Sequence, residues 1–72
     1  NPTSDIINFN FENTTIPSEI AIFDIHGKLI NTFNKFSGNS VQISTKNYSK
    51  GLYLVRIYFS NDNIIYKKLV TH

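Results

Sequence analysis

Lys50-Gly51-Leu52-Tyr53-Leu54-Val55-Arg56-Ile57-Tyr58-Phe59 is the stretch that decides the fold of this chain. A glycine opens it, and a β-branched and aromatic run follows without helical spacing. Such a run is a strand that starts abruptly, with Gly51 free to take a backbone conformation other residues avoid. Alternation splits it into two faces. Tyr53, Val55, Ile57 and Phe59 are assigned to the core, and Leu52, Leu54, Arg56 and Tyr58 to the opposite side. The polar break Ser60-Asn61-Asp62-Asn63 follows, and Ile64 to Val70 reads as the hairpin partner.

Upstream, the same reading applies. Ile6-Ile7-Asn8-Phe9-Asn10-Phe11 alternates, with Ile7, Phe9 and Phe11 on one face, and is expected to be a half-buried strand. Glu12 to Ser18 is expected to be a polar loop, with Pro17 excluding a central strand at that point. Glu19 to Ile25 is apolar on both faces, which predicts an interior strand reaching Ile25. Asp24-Ile25-His26-Gly27-Lys28 is a tight connection, Leu29 to Phe33 a further strand, and Ser40 to Ser44 another after the turn signal Gly38-Asn39. The total is six strands with no helical window, at turn spacings of roughly 8–12 residues, the pattern of an all-β sandwich or barrel.

Composition narrows the function classes. Seventy-two residues make one domain at most. A domain of this size buries only about 60% of its unfolded surface, so the core is thin. With no cysteine, neither a disulfide nor a thiolate metal site reinforces it. Aromatic residues, 14% of the chain, have to supply much of the buried area. Seven Lys and Arg against five acids give a net charge of +2, too weak and scattered for a nucleic-acid footprint. No apolar run approaches the roughly 20 residues needed to span a bilayer as a helix. The first residue is Asn1 rather than Met, and the chain is expected to be a piece of a larger protein or a processed product.

Chemistry-bearing constellations are sparse. His26 and His72 are the two histidines, short of a metal set, and Ser60 to Asn63 holds one carboxylate where Ca²⁺ needs many oxygens. No Ser/His/Asp set assembles, so no catalytic residue, metal or cofactor is expected. Tyr53 and Tyr58 fall on opposite faces of one strand, which disfavours a stacking platform built from that pair.

Four stretches, in order, carry a family resemblance. They are Asn1-Pro2-Thr3; Ile20-Ala21-Ile22-Phe23-Asp24-Ile25-His26-Gly27-Lys28-Leu29-Ile30; Tyr48-Ser49-Lys50-Gly51-Leu52-Tyr53-Leu54-Val55-Arg56-Ile57; and Lys67-Lys68-Leu69-Val70. Together they resemble the type A C-terminal sorting domain of type IX secretion cargo, over nearly the whole chain. Family positions fall on Pro2, Asp24, Gly27, Lys28, Gly51, Tyr53 and Lys67 or Lys68. Phe23 stands where tyrosine is common, and the aromatic-proline pair that often precedes the opening motif is missing.

The resemblance implies an Ig-like β-sandwich of about six to seven mainly antiparallel strands. It implies a single sorting domain over residues 1–72, at the end of a larger secreted protein of the Bacteroidetes group. It also implies partners: an outer-membrane translocon with its shuttle protein, and a surface sortase that removes the domain upstream of Asn1. Localisation would follow as periplasmic transit to the cell surface or exterior, with no nucleic-acid partner and no direct membrane insertion.

Each motif also has a purely structural reading. Gly51 and Tyr53 are either a recognition signature or a strand start and a core aromatic with its hydroxyl satisfied. Asp24, Gly27 and Lys28 are either a docking surface or hairpin chemistry. Lys67, Lys68, Leu69 and Val70 are the expected partner-binding residues. Lys on an edge strand also blocks unwanted pairing, and an unblocked edge invites self-association. The alternative function is an Ig-like accessory module that binds carbohydrate or spaces a secreted enzyme from the surface, which predicts an exposed aromatic strip.

Overall fold

The computed structural model describes residues 6–11, 17–34, 36 and 39–71. Pro2, Gly38 and His72, together with residues 12–16 of the expected polar loop, lie outside the described residues. The described chain forms six strands: β1 (Ile6–Asn10), β2 (Pro17–Phe23), β3 (Leu29–Phe33), β4 (Ser40–Ser44), β5 (Gly51–Phe59) and β6 (Ile64–Thr71). They make two antiparallel sheets, β1-β4 and β3-β2-β5-β6, in an all-β sandwich-like arrangement consistent with an Ig-like fold.

The core follows the alternation of β5. Tyr53, Val55, Ile57 and Phe59 are buried and pack with Ile20 and Ile22 of β2, Ile43 of β4 and Leu69 of β6. Ile7, Phe9 and Phe11 close over them from the smaller sheet, and the Phe11 ring meets Phe59 edge-on with centroids 5.9 Å apart. Each fully buried Ile or Val removes apolar area worth about 1.5–3 kcal/mol from water. That burial is the principal stabilising term in a chain without cysteine.

Two expectations need correcting at β2. Pro17 does not exclude a central strand: β2 begins at Pro17, which pairs with Phe59 in the middle of the four-stranded sheet. Proline is tolerated there because it is the first residue, and because the register slips before Glu19. Ser18 is the extra residue of that bulge, and its hydroxyl donates to the Tyr58 carbonyl at 3.3 Å. At the other end, β2 stops at Phe23, and Ile25 is an exposed turn residue rather than a strand residue. Asp24 is the reason the strand stops, as the turn chemistry below shows.

The last hairpin is closed by local chemistry. The Asp62 amide donates to the Phe59 carbonyl, the Phe59 amide donates to the Asn63 carbonyl, and Asp62 sits at φ 70°. This is the turn-plus-bulge connection of a three-residue hairpin loop, and Asp is among the few side chains that tolerate its left-handed position.

Candidate recognition surface

Asp24 organises the β2–β3 connection. Its Oδ1 accepts the His26 amide at 2.8 Å and the Lys28 amide at 2.9 Å. The main chain closes the same loop from Asp24 N to Lys28 O and from Gly27 N to Asp24 O, with Gly27 at φ 83°. The Lys28 amide is the largest influence holding the Asp24 carboxyl below its ordinary value, since donated hydrogen bonds favour the charged form.

Gly51 and Tyr53 fix the start of β5. Gly51 has φ 149°, where any side chain is strained. The buried Tyr53 hydroxyl donates to the Ser49 carbonyl at 2.7 Å. Thr71, at the end of β6, donates to the same carbonyl at 2.7 Å. One main-chain oxygen therefore ties the head of β5 to the tail of β6. A tyrosine bonding back to the chain a few residues upstream is also a device of Ig-like sandwiches.

β6 is the edge of the larger sheet. Its register runs from Ile64 opposite Tyr58 to Thr71 opposite Gly51 without a shift. Because Phe59 and Asn63 are a bonded pair, the antiparallel alternation makes 57/65, 55/67, 53/69 and 51/71 the bonded pairs as well. The main-chain groups of Ile64, Tyr66, Lys68 and Val70 consequently point outward, away from β5. Their side chains lie on the outer face of the sheet and are exposed, Tyr66 by 58%. Lys67 and Lys68 lie on opposite faces, opposite Val55 and Leu54. Leu69 does not share this accessibility: it is 7% exposed and packs in the core against its neighbours, so within the 67–70 stretch it holds β6 down while its neighbours face outward.

The outer face also gathers residues far apart in sequence. Asp24, Gly27, Tyr53 and Lys68 line one open depression together with Leu54 and Tyr66. Arg56, in the same lining, places its guanidinium 4.7 Å from the Phe23 ring centroid and 4.7 Å from that of Tyr58. Ala21, directly across from Arg56, is buried although it faces outward. Sequence reasoning missed this stack. Its signal was present as Phe23, Arg56 and Tyr58 on outward-facing positions, but which strands are neighbours had to be known first. The stack engages two of the aromatic rings that a sugar-binding strip would need to leave bare.

Comparison with known protein families matches residues 1–72 to the secretion system C-terminal sorting domain. The chain belongs to this family, the sorting domains of type IX secretion. No curated protein matches the chain significantly. As a type IX secretion signal, the sorting domain implies interaction with the secretion system and export across the outer membrane. In the sorting domain, the motif residues Asp24, Gly27, Gly51 and Tyr53 carry structural tasks in turns and core, while Lys67, Lys68 and Val70 are exposed on the terminal strand.

Proposed function

We propose that this domain is a non-catalytic export signal that an outer-membrane translocon, through its shuttle protein, reads at the open edge of β6. A single observation supports the reading. Along β6 the main-chain groups of Ile64, Tyr66, Lys68 and Val70 point away from the sheet, between exposed apolar side chains and two lysines. The two lysines guard this edge against indiscriminate pairing, while its outward main-chain groups remain suited to strand addition by a matched partner. Lys67 and Lys68 give orientation to the encounter. On this reading the domain occupies residues 1–72 at the end of a larger secreted protein, and a surface sortase removes it upstream of Asn1 after transit.

The test is a reporter carrying a signal peptide and these residues in a type IX-competent host. The intact fusion reaches the medium or cell surface, and deletion of Ile64 to His72 strands it in the periplasm. Lys68→Pro separates recognition from folding, because the Lys68 amide points outward and takes no part in the β5 ladder. A folded Lys68→Pro fusion is expected to stay in the periplasm. Normal export of that fusion sinks the proposal.

A further inference from the structure

The two-stranded sheet leaves part of the larger sheet uncovered. Ile65 is on the core-facing side of β6, directly opposite the fully buried Ile57, yet it is 43% exposed. Lys67, the next residue on that side, is exposed as well. Both line an open groove whose floor is completed by Ile57 and Phe59 and whose wall is β1, from Asn8 to Phe11. The groove is therefore the lateral mouth of the sandwich, between β1 and β6.

The wall is itself an open strand edge. The Phe11 amide donates to the Asn39 carbonyl, which sets the alternation of the β1–β4 ladder: Phe9 and Ile7 bond toward β4. The main-chain groups of Asn8 and Asn10 point the other way, toward the groove. Among the described residues no strand lies on that side of β1.

We infer that this groove takes an extended peptide segment which adds to β1 as a third strand and sets an acidic side chain between apolar ones against Lys67. Three features select that occupant. The main-chain groups of Asn8 and Asn10, without a strand partner among the described residues, ask for an extended backbone. A strand there presents every second side chain to the floor, where Ile57, Phe59 and Ile65 favour apolar residues. Lys67 is a lone cation in the lining, with no carboxylate beside it among the described groove residues, and favours a carboxylate partner. The site shares Lys67 with the β6 edge but not that edge's outward main-chain groups, and it does not depend on the translocon reading. Added there, the strand would cover Ile65 and finish the smaller sheet.

The probe is the blocked hexapeptide Val-Thr-Asp-Thr-Val-Thr, whose alternate residues present valine, aspartate and valine to one face. It is titrated into the isotope-labelled chain and followed by amide NMR. Saturable shifts are expected at Asn8, Asn10, Ile65 and Lys67. Asn10→Pro removes an outward amide without touching the β4 ladder and is expected to weaken the complex about tenfold, the effect of one main-chain hydrogen bond. Lys67→Glu is expected to reverse the preference toward the same peptide with lysine in place of aspartate. If Asn10→Pro loses its dispersed spectrum, the Lys67→Glu reversal decides alone. The inference is overturned by the absence of a saturable titration. It is equally overturned by shifts at Ile64, Tyr66, Lys68 and Val70 instead, which would place the peptide on the β6 edge and leave the export reading intact. Concentration-dependent shifts at Asn8 and Asn10 without peptide, with sedimentation of a dimer, would assign the groove to a second copy and also overturn it.

Discussion

Tyr53 shows how one residue serves two ends of the chain. Its ring fills the core beside Tyr48, with centroids 5.2 Å apart, and its hydroxyl binds the carbonyl that also receives Thr71. Tyr53→Phe keeps the ring and loses a partly buried hydrogen bond, so it is expected to cost about 1 kcal/mol. In thermal unfolding that is a fall of about 4–8 °C for a domain of this size. An unchanged midpoint would mean that the hydroxyl contributes nothing. The core role of Tyr53 was legible from alternation alone, since period two assigns it with Val55 and Ile57. Its partner was not, because Ser49 lies in a loop whose path no local pattern fixes. The share of Thr71 in the same carbonyl depends on hairpin register, which is set by the Asp62 turn far from both.

At the scale of the elements, the β2–β3 connection makes a distinct prediction about acid. Hydrogen bonds from the Lys28 and His26 amides hold the Asp24 carboxyl below 3.8 in the folded chain. A group depressed on folding contributes stability that is complete above its unfolded value. That contribution is lost as the pH falls through the folded value. The loss is therefore confined to pH below about 4. Asp24→Asn keeps an acceptor oxygen but removes the titration. Its unfolding midpoint is expected to decline less steeply than that of the parent between neutral pH and strong acid, as followed by circular dichroism. Parallel curves would show that Asp24 is not linked to folding. The element itself was readable, because Asp followed by Gly in a five-residue break is turn chemistry. The boundary of β2 was harder. Pro17 signals a break by its own nature, and only the bulge at Ser18, a feature of the β5 pairing, admits it to the strand. The exposure of Ile25 was equally hidden, since an apolar residue continuing an apolar run gives no sign that Asp24 has already turned the chain.

Across the whole molecule, the two sheets differ in how they are held. The larger sheet contains two local hairpins, β2–β3 and β5–β6, joined through β2 and β5. The smaller sheet joins Ile6 to Ser44 and Asn10 to Ser40, a closure about as long-range as the β2–β5 pairing, but among the described residues β1 has no strand partner besides β4. A two-stranded ladder, held on one side only, opens before a four-stranded sheet. Native-state hydrogen exchange is expected to release the Ile7, Phe9 and Phe11 amides well before those of Val55 and Ile57. Simultaneous exchange would instead make the sandwich a single cooperative unit. Sequence alone showed six strands and their faces, but not the division into two and four, since pairing across such distances leaves no local trace. That division has a mechanical consequence. Tension entering from the N-terminal side loads the β1–β4 ladder before any strand of the larger sheet. A pull that peels β1 away would leave the β5–β6 hairpin standing, so the terminal edge survives a load that has already opened the sandwich.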